Sequence, residues 1–333
     1  MGRIRVGTCS WTDRALVGSG WYPPGQRDAE GKLRFYASNF AVAEVDSTYY
    51  GLPSERNSRL WVERTPEGFR FDVKAFSLLT GHPTPARALP ADLRGELGAG
   101  SRYGGGRPGA DGSGAARPEV LDEVWRRFAG ALEPLRLTRR LGAVLFQFPP
   151  WFAPGAAAEA SLRETRERTG DCPISVEFRH PAWWLPERRA DTAALLTELD
   201  ATAVAVDMAQ RLPSSIPPVA EVTSPRLAVV RLHGRSPAWA TGSKEDRFRH
   251  DYTPAELAEW VPRVRAMAEG AREVHVLFNN CCADAAVRAA ASMARLVPAD
   301  PLPGPPAAAD PPAQDPLPGL PGDTFRQAGL GRQ

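Results

Sequence analysis

The sequence has few cysteines and no long apolar run, and each shortage excludes a class of protein. Its 333 residues include four cysteines, with no CxxC pair and no spaced Cys/His motif, so neither a disulfide scaffold nor a zinc module is expected. No apolar stretch approaches the roughly 20 residues that span a bilayer. The first residues also lack the apolar segment of a signal peptide. We therefore expect a soluble cytoplasmic protein without membrane contact.

The sequence also lacks a marked excess of positive or negative charge. Lysine and arginine total 41 against 39 aspartates and glutamates, a formal net charge of +2. A strongly basic surface that coats nucleic acid is therefore not expected, and nucleic acid is a partner that the net charge does not favour. A local basic cleft stays open, and a small anionic molecule is the preferred partner. Hydrophobic residues make up 43% of the chain, enough for a globular core.

Glycine and proline are unevenly distributed, which marks two segments as dispensable. Residues 90–118 are rich in glycine and predict a flexible insertion, with a mobile lid over a site as the less favoured interpretation. Residues 298–333 are rich in proline, alanine and glycine and predict a disordered tail. Between them, residues 3–297 are expected to form one domain.

Within that domain, short runs of β-branched and small apolar residues stop abruptly at polar residues, and helical patterns separate most of them. The eight predicted strands are Ile4–Thr8, Ala41–Asp46, Phe69–Ala75, Gly142–Phe148, Ile174–Arg179, Thr202–Asp207, Leu227–His233 and Val274–Asn280. This alternation predicts an α/β fold of the (β/α)₈ TIM-barrel type. An open doubly wound sheet is the alternative, but the first strand is not followed by a GxGxxG turn. Residues 207–225 show no convincing helix, so one repeat, between strands six and seven, is expected to be irregular.

The polar residues that end these strands form the candidate site. Residues two apart on a strand share a face, and barrel active sites lie at the carboxyl ends of the strands. The expected ring consists of Glu44, Asp46, Asp72, Lys74, Gln147, Glu177, Arg179, Asp207, Arg231, His233 and Asn279. The alternative is that some of these residues form buried ion pairs that hold the barrel together.

The ring mixes carboxylates, cations and one histidine, which suggests acid–base chemistry on an anion. Histidine is the best acid or base by type, and arginine binds phosphate or carboxylate through its planar fork. Tryptophans near the same strand ends would offer faces on which a sugar or base stacks. The predicted catalytic residues are His233, Glu177, Glu44 and Asp207. The predicted substrate-binding residues are Lys74, Gln147, Arg179, His180, Arg231, Arg235, Asn279, Trp11 and Trp183.

A divalent metal is the weaker prediction for the same ring. Its ligands would come from Glu44, Glu177, Asp207 and His233, as in metal-dependent barrels. No HxH or HExxH spacing supports this set, and nearby cations disfavour it. No residue is therefore assigned as a metal ligand, and the cofactor is unknown.

Several motifs in a fixed order resemble those of a known family. They are Gly7-Thr8-Cys9-Ser10-Trp11, Trp21-Tyr22-Pro23, Glu44-Val45-Asp46-Ser47-Thr48-Tyr49-Tyr50, Phe71-Asp72-Val73-Lys74, Gln147-Phe148-Pro149-Pro150, Glu177-Phe178-Arg179-His180-Pro181-Ala182-Trp183, Arg231-Leu232-His233-Gly234-Arg235 and Phe278-Asn279-Asn280. Over about residues 3–297 the chain resembles the YecE-like family, a domain of unknown function. The resemblance implies a TIM-type barrel and says little about a reaction. The chain departs from the family pattern at Cys9, Asp46 and His82.

The sequence therefore predicts an enzyme of hydrolase or isomerase type that acts on a small anionic substrate at the carboxyl-terminal face of the barrel, with sugar- or nucleotide-containing anions as candidates. Two alternatives stay open. The first is a non-catalytic regulator that binds an anionic ligand or nucleic acid. The second is a metal-dependent nuclease or isomerase.

Overall fold

The computed structural model describes residues 1–94, 102–103, 117–280 and 282–300. Most of the predicted glycine-rich insertion, and the predicted tail beyond residue 300, lie outside these residues. The last described residues pair with the first strand, because Ala299 forms a β-bridge with Ile4. In addition, the backbone N–H of Asp300 donates to the carbonyl of Ile4 at 2.8 Å.

Eight parallel strands form a closed barrel in chain order, with the last strand paired to the first. They are β1 (Arg3–Cys9), β2 (Val42–Val45), β3 (Arg70–Lys74), β4 (Leu141–Gln147), β5 (Ile174–Glu177), β6 (Ala201–Asp207), β7 (Leu227–Leu232) and β8 (Glu273–Phe278). Each lies within two residues of its predicted bounds, and the predicted (β/α)₈ fold is confirmed. A pair of two-residue strands, Thr84–Pro85 and Arg102–Tyr103, lies outside the barrel.

The helices surround the barrel. They are α1 (Arg14–Gly18), α2 (Ala29–Ala37), α3 (Glu55–Glu63), α4 (Ala91–Arg94), α5 (Pro118–Leu137), α6 (Ala156–Thr169), α7 (Arg189–Glu198), α8 (Lys244–Phe248), α9 (Pro254–Gly270) and α10 (Ala285–Leu296). Short 3₁₀ turns occur at Ser47–Tyr49, Ser77–Thr80, Ala86–Ala88, Pro181–Trp184 and Pro237–Trp239. No helix of the described ranges is long and apolar enough to cross a bilayer.

Local sequence signals set the ends of these helices. Helix α9 begins with a capping box in which Thr253 and Glu256 each bond the other's backbone, with Pro254 at the first helical position. Helix α2 begins after Asp28, whose side chain accepts from the backbone N–H of Gly31 and caps the helix. Between β6 and β7, residues 208–226 contain no helix, which is the predicted irregular repeat.

The barrel interior holds two separate polar clusters. One lies near the amino ends of the strands and includes Asp72 and His275, and the other lies near the carboxyl ends and includes Glu177 and Arg231. Apolar side chains of the strands pack outward against the helices, which forms the main core. The strands therefore present charged groups at both ends of the barrel.

Candidate active site at the carboxyl ends of the strands

Glu177, the last residue of β5, is the centre of the carboxyl-end cluster. Its Oε1 atom lies 2.8 Å from Nε2 of Gln147, 2.6 Å from Nε of Arg179 and 3.2 Å from Nε2 of His233. Its Oε2 atom accepts from Nη1 of Arg231 at 2.5 Å. Strands β4, β5 and β7 thus bring five predicted site residues into direct contact.

Arg231 links Glu177 to a second buried carboxylate. It donates to Oε2 of Glu44 from Nε at 2.8 Å and to Oε1 from Nη2 at 2.6 Å, and Nη2 also lies 3.6 Å from Sγ of Cys9. Burial raises the pKa of Glu44, and the charge of Arg231 opposes this. These contacts use most of the five N–H donors of Arg231. Its guanidinium therefore bridges two protein carboxylates and has few donors left for a ligand.

His233 is a neutral imidazole with a defined tautomer. Burial and the charge of Arg179 lower the pKa of His233 to about 3. Its Nε2–H therefore donates to Glu177, while Nδ1, 2.9 Å from Nδ2 of Asn279, accepts from that amide. Both ring nitrogens are thus occupied in this structure, and the ring is fully buried.

Glu177 is held ionised. Its burial raises the pKa of the carboxyl, but the charges of Arg179 and Arg231, together with His233, outweigh burial and place the pKa of Glu177 well below its usual value. A carboxylate so strongly bonded is a poor proton acceptor. It fixes the tautomer and orientation of His233, as the carboxylate of a catalytic triad does.

Two cations, Lys74 and Arg179, lie at the mouth of the barrel. Lys74 Nζ lies 2.9 Å from Oδ1 of Asp46 and 4.5 Å from the centre of the Tyr49 ring. His82 lies beside them, with its ring 5.3 Å from that of Tyr49. Burial, followed by the charges of Lys74 and Arg179, lowers the pKa of His82 to about 4. The positive charges of Lys74 and Arg179 thus disfavour protonation of His82.

Aromatic side chains border this mouth. Trp151 is 48% exposed, with its ring 6.0 Å from that of His82. Across the mouth, Trp239 lies 6.2 Å from the His233 ring and 5.4 Å from Phe248. The sequence signal for these residues is their position in loops after strands, which does not separate rim residues from core residues.

Asp207 and Arg235 lie outside the cluster, which corrects the predicted ring. Val206 is the residue of β6 in register with Arg231, so the alternation of the strand turns Asp207 to the outer face. There Asp207 accepts from Nη2 of Arg235 at 2.7 Å and from Nε1 of Trp260, on α9, at 2.5 Å. The pair therefore connects the barrel wall to its outer helix.

Both predicted tryptophan platforms lie in the core, and His180 has a local role. Trp183 is 1% exposed and stacks on Phe178, with ring centres 4.1 Å apart. Trp11 is buried at an edge-on contact with Trp61. His180 Nδ1 accepts from the backbone N–H two residues later and caps the turn that begins at Pro181. Trp183 therefore offers no open face at the mouth, whereas Trp11 borders a cavity of about 340 Å³ together with Glu44 and Asp46.

The predicted metal ligands do not converge. Glu44 and Glu177 lie on either side of Arg231, and Asp207 lies on the other face of its strand. Within the described part of the chain, no group of three or more His, Cys, Asp or Glu side chains is arranged to hold a metal ion. The residues present thus do not fit the metal-dependent alternative.

A closed parallel barrel with a charged cluster at the carboxyl ends of its strands defines a (β/α)₈-barrel protein of the TIM type. A family model described as "Protein of unknown function DUF72" matches residues 5–313. The chain belongs to this DUF72 family.

Relatives of known sequence or structure agree with this assignment. The UPF0759 protein YunF of Bacillus subtilis is 30% identical over 283 residues, which cover 83% of this chain and 88% of that protein. A DUF72 family protein of Enterococcus faecalis is 26% identical, with a TM-score of 0.72 over 89% of this chain and 96% of its own. A DUF72 family protein of Thermotoga maritima is 26% identical, with a TM-score of 0.68 over 88% of this chain and 98% of its own. The two solved DUF72 family proteins therefore share this fold.

Proposed function

We propose that the protein is an enzyme, of hydrolase or isomerase type, that binds a small anionic substrate at the carboxyl-terminal mouth of its barrel. The observation that carries this proposal is geometric. Lys74 and His82 contact the same ring, that of Tyr49, and Arg179 and the neutral His233 contact the same oxygen of Glu177. Two cations within a mostly buried rim provide an anion site whose low local dielectric strengthens the attraction. Sugar or nucleotide phosphates fit a rim with the exposed ring of Trp151.

Arg179 is the principal anion ligand in this proposal. Its Nε contacts Glu177, while its two Nη groups have no acceptor among the residues that the structure describes. Glu177 thus fixes the guanidinium and leaves its outer edge to the substrate. Lys74, held by Asp46, supplies the second positive charge.

His233 is the proposed acid–base group. Glu177 holds the Nε2–H tautomer, so proton transfer takes place at Nδ1, where Asn279 donates in this structure. A substrate hydroxyl or water that replaces this amide would give up its proton to Nδ1. Glu44 and Arg231 complete the support of the cluster without contact with the substrate.

A non-catalytic anion-binding regulator is the second candidate. The complete burial of Glu177 and His233 favours it, because neither group reaches solvent in this structure. The two functions differ in one measurable respect. An enzyme changes its ligand chemically, and a regulator releases it unchanged.

The test uses a panel of sugar phosphates and nucleoside monophosphates, with calorimetry for binding and ³¹P and ¹H NMR for chemical change. Arg179→Met should weaken binding at least tenfold, and Lys74→Met, which leaves Glu177 untouched, should act in the same direction. His233→Gln should retain binding and lose about 10²- to 10⁴-fold in turnover. The matched control is Arg163→Met, which removes an exposed arginine of α6.

Two results would overturn the proposal. Binding that is unaffected by both Arg179→Met and Lys74→Met would place the anion elsewhere. Tight binding at the mouth without chemical change of any panel member would favour the regulator.

A further inference from the structure

A second basic cleft lies at the opposite end of the barrel, near the amino ends of the strands. It has a volume of about 600 Å³ and borders the first residues of β3, β4, β7 and β8. Five arginines line it: Arg70, Arg136, Arg139, Arg226 and Arg272. Two carboxylates, Asp171 and Glu273, lie among them. The cleft is thus predominantly positive, and it does not share a residue with the mouth described above.

The five arginines differ in their partners. Three contact carboxylates, in the pairs Arg70–Glu273, Arg136–Glu133 and Arg226–Asp200. Arg139 and Arg272 are exposed, and neither side chain has a hydrogen bond or ion pair with any residue that the structure describes. Two guanidinium forks are therefore available to a ligand. Arg136 and Arg226 lie in half-exposed pairs that a stronger anion can displace, whereas the pair of Arg70 with Glu273 is mostly buried.

The inner wall of the cleft holds a buried histidine between two carboxylates. His275 is buried, with Nδ1 2.9 Å from Oδ2 of Asp72 and Nε2 3.3 Å from Oε2 of Glu273. Because both ring nitrogens face carboxylates, both must carry a proton, and the ring is an imidazolium. Burial opposes this charge, but the two carboxylates outweigh it and raise the pKa of His275. Glu273 is thereby neutralised by three cations, His275, Arg5 and Arg70.

We propose that this cleft is a second anion site, which binds a small oligophosphate. The argument rests on five guanidinium groups that border one volume, two of which are unoccupied. An arginine fork matches phosphate oxygens in a bidentate manner, and consecutive phosphates engage several forks at once. A volume of about 600 Å³ suits a ligand of nucleotide size. The site is independent of the proposed function at the mouth.

The test measures tripolyphosphate binding by isothermal titration calorimetry on the full chain. The double variant Arg139→Gln/Arg272→Gln should weaken binding at least tenfold. The matched control is Arg14→Gln/Arg56→Gln, which removes the same charge from two exposed arginines that do not line this cleft. The control should bind as the wild type does. Arg179→Met, at the mouth, should leave this binding event intact.

A second measurement locates the ligand. Phenylglyoxal modifies accessible arginines, and mass spectrometry reports the modified positions. Tripolyphosphate should protect Arg139 and Arg272 and leave Arg14 and Arg56 reactive. Equal weakening in both double variants would overturn the proposal, because it would show attraction to net charge alone. Absence of binding or of protection at Arg139 and Arg272 would overturn it as well.

Discussion

At the scale of single residues, two buried histidines in one barrel differ in charge because their partners differ: one is neutral and the other is a cation. His233 faces one carboxylate and one amide beside Arg179, and its pKa is lowered to about 3. His275 faces carboxylates at both ring nitrogens, and its pKa is raised. The first is a neutral ring whose Nδ1 accepts a hydrogen bond. The second is a fixed cation that supports the opposite end.

The depressed pKa of His233 predicts acid sensitivity of the fold. The unfolded chain binds this proton at its ordinary pKa near 6.5, whereas the folded state resists it down to about 3. The resulting stabilisation is present above pH 6.5 and is lost as the pH falls toward 3. Between pH 7 and pH 4 the loss should be about 3 kcal/mol. Urea denaturation of the wild type and His233→Gln across this range measures it.

The comparison of the two proteins isolates this effect, because the carboxylates away from His233 titrate alike and Arg179 and Arg231 still lower the pKa of Glu177 in the variant. The wild type should lose more stability than His233→Gln over the interval from pH 6.5 to pH 4. Parallel curves for the two proteins would show that the folded state takes up this proton as readily as the unfolded chain does, which would contradict a lowered pKa for His233.

Arg231 has a structural consequence that is separate from catalysis. It contacts Glu44 and Glu177, both fully buried, so Arg231→Met should leave Glu44 without its main counter-charge and Glu177 with Arg179 alone. We expect a loss of about 3–5 kcal/mol in the free energy of unfolding, as for other broken buried pairs. Chemical denaturation at pH 7 measures the loss. Arg163→Met, on the surface, should leave stability unchanged, and a similarly mild effect of Arg231→Met would contradict the buried network.

At the scale of single elements, β4 shows how one glycine shapes the amino-end cluster. The register with β3 shifts between Phe71, paired with Leu141, and Asp72, paired with Ala143, so Gly142 is an extra residue in β4. A Cβ atom at Gly142 would lie 2.1 Å from Oδ1 of Asp72. The bulge therefore makes room for the contact between Asp72 and His275.

Gly142→Ala should consequently destabilise the protein by about 1–3 kcal/mol, the usual cost of overpacking a filled interior. Gly130→Ala is the matched control, because Gly130 lies in α5 with open space around its Cβ position. Alanine there should stabilise the helix by about 0.5–1 kcal/mol. Thermal and urea denaturation of both variants give the comparison, and effects of the same sign would refute the role of the bulge.

The elements also show why sequence predicted the strands better than the site. A strand is recognisable locally, because an uninterrupted apolar run such as the first four residues of β7 (Leu227–Leu232) is enough to indicate it. Whether the last side chain of a strand faces the barrel interior depends on which alternate positions of that strand point inward. The identity of the last residue alone does not reveal this. Glu177 and Asp207 both end apolar strands, yet one points inward and the other points to α9.

Distance along the chain limited the prediction of the remaining site residues. His82 and Tyr49 meet Lys74 only because the loops after β2 and β3 fold over one mouth. Trp183 follows a strand in the sequence, as a rim residue would, but it stacks on Phe178 in the core. Loops carry weaker periodicity than strands, so their contacts become visible only in three dimensions.

At the scale of the whole molecule, the described chain closes on itself at the amino end of the barrel. Ala299 bridges Ile4, and Asp300 lies 3.7 Å from Arg5, whose Nε contacts Glu273 at 3.0 Å. Residues 298–300 therefore join the first strand and the amino-end cluster. The sequence-based boundary at residue 297 omits these contacts.

This arrangement predicts different outcomes for two truncations. A chain that ends after Asp300 should unfold at the same temperature as the full chain, if residues 301–333 are the dispensable tail that their composition predicts. A chain that ends after Val297 should unfold at a lower temperature, because it lacks the bridge to Ile4 and the charge beside Arg5. Differential scanning calorimetry of the three chains makes the comparison.

Asp300→Asn in the full chain separates the charge from the backbone contact, since it retains the bridge. Equal stability of both truncations would place the end of the folding unit at Val297, whereas a loss in both would assign a stabilising role to the segment beyond Asp300.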